Sequence, residues 1–213
     1  MNLAVIGSGG REHAICYKLK QSPKINMRII SGQFKGSVLY FPKNKNTRPL
    51  KDLVRESIFN LLNHSNKISF KIEKSNVLDL FSGTGSFGLE CLSRQAEIVF
   101  FVEKEKDATI ILKKNIKKLK LENKTKIFTE NVFQYLKKNI SPTPKFNLIF
   151  CDPPFKDSNM KELFDLLLNN KILKKEGIIV LHRNKSIKNE LPDYFKIIDE
   201  RIYGISRIIF GKF

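Results

Sequence analysis

From Asn76 onward the chain alternates short apolar runs with longer amphipathic stretches, and few architectures satisfy that alternation. NVLDLF (76–81), EIVFFV (97–102), FNLIFC (146–151) and GIIVL (177–181) are almost continuously apolar over a strand's length, the pattern of strands buried on both faces. A strand–helix–strand rhythm of this kind places parallel strands in one sheet with helices against it. The periodicities predict strands near 76–81, 97–102, 125–129, 146–151, 177–181, 195–199 and 206–211, and helices near 86–94, 106–120, 131–137 and 160–169. In the second of these helices Ala108, Ile111, Leu112 and Leu119 form the expected buried stripe. Only Arg201–Gly204 and its neighbours separate the last two strands, so an antiparallel pair is expected to close an otherwise mostly parallel α/β sheet.

Upstream the pattern changes. Residues 27–48 are basic, with β-branched and aromatic residues around Gly32 and Gly36, which reads as a small hairpin. From Pro49 the spacing becomes helical, with Leu50, Leu53, Val54, Phe59, Leu61 and Leu62 largely on one side, Thr47 as a cap and Pro49 in the first turn. The first 26 residues carry their own glycine turn, Gly7–Gly10, and end at the breaker Ser22-Pro23. Three regions result: 1–26, a basic extension 27–62, and the α/β domain 63–213.

Charge narrows the partners. Lys and Arg number 39 against 21 Asp and Glu, a net charge of +18, and such a field attracts polyanions, nucleic acid first among them. No run approaches the roughly 18 apolar residues of a membrane span, and the N-terminus lacks the order of a signal peptide, so no membrane partner and a cytoplasmic location are expected. Cys16, Cys91 and Cys151 are scattered and without CxxC spacing; neither a disulfide framework nor a metal site is indicated.

Gly83, Gly85 and Gly88 have GxGxxG spacing between a strand and a helix, where glycines allow close backbone approach to a ligand. Glu103 follows twenty positions after Gly83, at the end of the next strand, suited to accept both hydroxyl hydrogens of a ribose; the plain alternative is a first solvated residue after a buried strand. A nicotinamide-dependent reductase shares these features. Asp79 separates the two, since a carboxylate just before the glycines repels a pyrophosphate and suits an ammonium group. S-adenosylmethionine carries an ammonium, a ribose and no phosphate, so the turn reads as a methyl-donor site.

The run 146–151 passes straight into Asp152-Pro153-Pro154-Phe155. Two prolines fix two φ angles and remove two N–H donors, leaving carbonyl oxygens presented beside a carboxylate and an aromatic face. That set suits methylation of an exocyclic amine on a flipped nucleobase. Asp152 and the Pro153 carbonyl accept the two amine hydrogens, aiming the nitrogen lone pair at the methyl, while Phe155 stacks on the base.

With both sites in place, residues 27–213 resemble the RsmD-like methyltransferases, which make N2-methylguanosine in small-subunit (16S) ribosomal RNA. The resemblance rests on RIISGQFKG (28–36), TRPLKDLVRESIFNLL (47–62), DLFSGTGSFGLECLSR (79–94), FVEKE (101–105), FNLIFCDPPF (146–155) and YGISRIIF (203–210). It implies a seven-stranded class I S-adenosylmethionine-dependent methyltransferase (Rossmann-like) fold with a small basic N-terminal extension touching RNA. Carried over by position, Asp79, Gly83 and Gly85 line the methionine end of the donor, Glu103 the ribose and Asn131 the adenine edge. Asn131 stands where many relatives of the wider class have Asp, and its amide can still pair with adenine. Arg28, Lys35, Arg48 and Arg55 are the RNA-contact candidates, Arg55 having a structural role beside a core acid as its alternative. The partner implied is ribosomal RNA or the small ribosomal subunit, with a monomer favoured. Adenine-N6 methylation of DNA or RNA, and a non-catalytic RNA-binding assembly factor, are the competing functions.

Residues 1–25 instead resemble the start of phosphoribosylamine–glycine ligase, over one strand, its glycine turn and one helix. The rest of that enzyme is absent, so ligase activity and a cofactor at Gly7–Gly10 are not expected. A fused or mis-started reading frame, with Met27 as a candidate initiator, is the simplest reading. Residues 1–26 hold four basic and one acidic residue, so the remaining chain keeps +15 of the +18.

Overall fold

The structure, a computed structural model, describes residues 27–42, 50, 52–68, 70–138, 144–154, 159–187 and 191–213. The expectations for residues 1–26, Thr47, Arg48, Pro49 and Phe155 fall outside these residues.

Seven strands form one sheet: β1 (Asn76–Leu80), β2 (Ile98–Val102), β3 (Thr125–Phe128), β4 (Phe146–Cys151), β5 (Leu173–Asn184), β6 (Lys196–Tyr203) and β7 (Ser206–Lys212). Their order is β3-β2-β1-β4-β5-β7-β6. The first five run parallel, and β7 lies antiparallel between β5 and β6. The helices are α1 (Asp52–His64), α2 (Ser86–Ser93), α3 (Lys106–Leu119), α4 (Val132–Lys137) and α5 (Met160–Asn169).

The continuous apolar runs have the expected cause, because the sheet is covered on both sides. Val77, Val99, Phe101, Leu148 and Phe150 face a core shared with α1, α2 and α3, while Leu78, Phe100, Val102 and Ile149 face α4 and α5 on the other side. Alternate residues of one strand thus serve two cores. In α3 the stripe is Ala108, Leu112, Ile116 and Leu119, with Ile111 only half-buried. The polar Asn115 sits within that stripe, fully buried, because its amide bonds the Tyr40 backbone through both its oxygen and its nitrogen and reaches the Thr84 carbonyl.

The basic extension packs onto this domain. A single antiparallel bridge, Arg28 with Val38, closes the turn over residues 31–36 in place of a longer hairpin. Gly32 requires its absent side chain, since it has φ +83° and a Cβ there would lie 2.0 Å from the Ser93 carbonyl oxygen. The α1 stripe departs from expectation at two residues. Leu53 is 68% exposed, whereas Arg55, expected either against RNA or beside a core acid, is fully buried. Its Nη2 donates to Asp52 at 3.0 Å and to the Arg28 carbonyl, and its Nε lies 4.0 Å from Glu90. Arg55 is therefore an internal structural cation, and the RNA-contact assignment is corrected for it.

Candidate active site

Parallel neighbours β1 and β4 end side by side, with Asp79 opposite Phe150 and Leu80 opposite Cys151, so the two loops leaving them share the C-terminal edge of the sheet, where α/β ligands sit. A cavity of about 520 Å³ lies there. Asp79, Gly83 and Glu103 line it together with Asp152, Pro153 and Pro154.

The glycine turn begins with a forced reversal. Phe81 has φ 59°, an uncommon conformation for a residue with a bulky side chain, and Ser82 then bonds the Val102 carbonyl. Gly83 follows at φ 54°, and its N–H donates to Glu103 Oε2 at 2.8 Å. Glu103 Oε1 accepts the N–H of Glu105 at 2.8 Å. Glu103 is buried and carries a strap across the turn, unlike the solvated residue of the plain alternative. Each of its oxygens retains a second lone pair for a hydroxyl.

Gly85 and Gly88 have a different reason to be glycine from the one the spacing suggests. A Cβ on Gly85 (φ +83°) would lie 2.3 Å from Leu112, and one on Gly88 2.3 Å from Phe101. Both let α2 close onto α3 and the sheet, and neither lines the cavity. Packing thus accounts for a glycine at position 85, between the cavity-lining Thr84 and Ser86. Gly88 N–H also donates to Asp79 Oδ2 at 3.0 Å. Asp79 is 1% exposed; burial pushes its carboxyl well above the ordinary value, the Gly88 hydrogen bond opposes this, and the Asp152 and Glu103 carboxylates add to the rise.

Asn131 lines the far end of the cavity and caps α4, its Oδ1 accepting from Phe133 N–H at 2.8 Å and Gln134 N–H at 3.4 Å. The cap uses the oxygen, which leaves the amide nitrogen as the donor for an adenine ring nitrogen.

On the other flank, Asp152 Oδ1 lies 2.8 Å from His182 Nδ1, and His182 Nε2 lies 3.0 Å from Ser206 Oγ. The next residue of β5, Arg183, donates from Nη1 to the Pro154 carbonyl at 3.1 Å. Thus β5 and the start of β7 hold the Asp-Pro-Pro loop from the side. Cys151, immediately before it, is fully buried, and its thiol is pushed up by that burial and by the Asp79 and Asp152 carboxylates, so it stays protonated.

Among the RNA candidates, Arg28 has a side chain 66% exposed, 3.9 Å from Asp52, and Lys35 is exposed on the turn. Met27, Phe41 and Leu50 bring the extension to the cavity itself. Sequence reasoning missed these three, together with His182, Arg183 and Ser206. The one available signal was a histidine and an arginine ending an otherwise apolar run, IIVLHR, at the ligand edge of a buried strand.

Comparison with known proteins agrees with this geometry. The family described as Conserved hypothetical protein 95 matches residues 27–212. Ribosomal RNA small subunit methyltransferase D of Buchnera aphidicola (subspecies Baizongia pistaciae) is 36% identical over 170 residues, 79% of this chain and 82% of that protein. The protein of the same name from Haemophilus influenzae is 33% identical over 183 residues, 85% of this chain and 91% of its own length. A solved structure of a candidate methyltransferase from Escherichia coli superposes with TM-score 0.74 at 28% identity, covering 87% of this chain and 97% of that one. The seven-stranded sheet is that of the class I S-adenosylmethionine-dependent methyltransferases, and the chain belongs to the ribosomal RNA small subunit methyltransferase D family.

Proposed function

We propose that the chain transfers a methyl group from S-adenosylmethionine to the exocyclic N2 amine of a guanine in small-subunit ribosomal RNA, acting in the cytoplasm. The observation that carries this reading is the single cavity that brings the Asp79–Glu103 side and the Asp152–Pro154 loop together. The donor set suits the cofactor: a buried carboxylate whose ionised form is disfavoured by its surroundings is relieved by a cationic ligand and worsened by a phosphate.

Asp79 would hold the ammonium group, Glu103 the ribose hydroxyls and Asn131 the adenine edge. Bound there, S-adenosylmethionine supplies an electrophilic sulfonium methyl to an aligned amine nitrogen. The chain's own part is to prepare that nitrogen. A guanine amine is a weak nucleophile because its lone pair is delocalised into the ring. Asp152 Oδ2 and the Pro153 carbonyl accept its two hydrogens, drawing it toward a tetrahedral shape, and Phe155 would stack on the base. As positive charge develops on the nitrogen, the Asp152 carboxylate stabilises it and takes up the departing proton on the way to solvent. Arg28, Lys35 and Arg48 would meet the RNA backbone, whose phosphates supply most of the affinity.

The test is transfer of a labelled methyl group to small ribosomal subunits from a strain lacking the enzyme, followed by digestion to nucleosides. Label in N2-methylguanosine, abolished by Asp152→Ala, is expected. Label in N6-methyladenosine would overturn the guanine assignment. RNA binding without transfer, unchanged in Asp152→Ala, would make the chain an assembly factor instead.

A further inference from the structure

We infer that His182, backed by Ser206, is a positioning residue that fixes the rotamer of the Asp152 carboxylate for methyl transfer; this rests on the function proposed above. The three side chains form a line, Ser206 Oγ to His182 Nε2 at 3.0 Å and His182 Nδ1 to Asp152 Oδ1 at 2.8 Å. In the arrangement inferred, Nδ1–H donates to the Asp152 carboxylate and the neutral ring's Nε2 accepts the Ser206 hydroxyl.

The line has the residue types and order of a hydrolytic triad but the opposite polarity. In an acyl-transfer site the hydroxyl faces the substrate and the acid lies behind. Here all three residues reach the cavity wall, but the Asp152 side chain is 23% exposed there, whereas the His182 side chain is 8% exposed and Ser206 is buried. The carboxylate is the working end and the serine is the anchor. With Oδ1 committed to the imidazole, Oδ2 is left to accept an amine hydrogen from the substrate.

The sheet explains why this support is rigid. Asp152 follows β4 without a helix to hold it, and its side chain has several rotamers open to it. His182 is on β5, the neighbour of β4, and Ser206 starts β7, the neighbour of β5, with Asn184 opposite Ser206 and His182 opposite Ile208. Consecutive ladder strands thus supply acid, imidazole and hydroxyl, and Arg183 pins the Pro154 carbonyl two residues further along the same loop. A group placed through ladder hydrogen bonds varies less than one placed by a loop.

The experiment uses the full chain with small subunits and S-adenosylmethionine, comparing His182→Leu, His182→Asn and Ser206→Ala with the parent. Leucine keeps the volume and removes the donor; asparagine returns an N–H near the Nδ1 position. Misplacing a reacting group lowers turnover by about tenfold to a hundredfold, so His182→Leu is expected to lose that much kcat, with KM for S-adenosylmethionine within about twofold. His182→Asn should recover most of the loss, and Ser206→Ala should fall between. A His182→Leu kcat within about twofold of the parent, or equal losses in His182→Leu and His182→Asn with matching falls in thermal stability, would overturn the inference. Should His182→Leu fail to fold, Ser206→Ala decides: unchanged kcat overturns the role and a fall at constant KM supports it. An inactive parent would defeat the proposed function instead, so the two failures are distinguishable.

Discussion

Glu90 on α2 ties the basic extension and α1 to the α/β domain. It accepts the backbone N–H groups of Ile30 at 2.7 Å and Ser31 at 2.9 Å, accepts Arg94 Nε at 2.9 Å, and lies 4.0 Å from the fully buried Arg55. Replacing it by alanine orphans two backbone donors and leaves a buried guanidinium that burial already pulls below its ordinary pKa, with Asp52 as the remaining opposing charge. Hydrogen bonds to charged groups contribute about 1.5–3 kcal/mol each, and removing one member of a buried pair costs about 3–5 kcal/mol. Because these overlap, the expected loss for Glu90→Ala is roughly 4–6 kcal/mol, a fall in Tm of about 10–20 °C for a domain of this size. Thermal unfolding followed by circular dichroism measures it, and trypsin should cut faster at Arg28 and Lys35 as the extension detaches. The pair Arg55→Met/Glu90→Met removes the stranded charge and should recover about 2 kcal/mol relative to the sum of the single changes. A Tm within about 3 °C of the parent, or strict additivity of the two substitutions, would refute the reasoning.

Three further outcomes are expected. Since the Asp79 carboxyl is raised well above its ordinary value, its share of ligand-free stability is complete below the unfolded value of 3.8 and is lost as pH rises through the raised one. The Tm advantage of Asp79→Asn over the parent should therefore grow as pH rises above 3.8 and shrink when the parent binds S-adenosylhomocysteine; a constant difference would contradict this. Gly85→Ala and Gly88→Ala each force a methyl group to 2.3 Å from a packed side chain, so each should cost about 2–4 kcal/mol in urea unfolding without any ligand. An unchanged midpoint with weakened ligand binding alone would restore the ligand-approach reading. Glu103→Gln keeps one acceptor oxygen for two backbone donors, and calorimetric titration should show S-adenosylhomocysteine binding weakened by about tenfold or more; equal affinity would remove Glu103 from the site.

The seven strands and the cavity's two loops were legible because each depends on local pattern, a two-sided apolar run or a glycine or proline turn. What escaped depends on distant partners. Leu53 faces solvent against expectation, and the choice between RNA contact and a core acid at Arg55 could not be made locally, because Glu90, 35 positions later, is what makes an internal cation tolerable. β5 outruns the expected 177–181 at both ends, through Leu173–Glu176, a partly exposed and mostly polar stretch, and through His182–Asn184, where polar side chains interrupt the apolar run. His182 is thirty positions from Asp152, and only the adjacency of β4 and β5 brings them together. The glycine spacing located the turn correctly but not the packing of its second and third members against Leu112 and Phe101, which lie on elements further along the chain.

The placement of β7 has a consequence for synthesis and for engineering. The strand spanning Ser206–Lys212 is flanked on both sides, by β5 and by β6, so the domain cannot assemble its sheet outward in the order the chain emerges. A nascent chain stopped before residue 206 would hold β5 with an open edge and His182 without its anchor. The native arrangement becomes available only when β7, made after both of its neighbours, is inserted between them, so that removing this stretch takes away a strand of the sheet's interior.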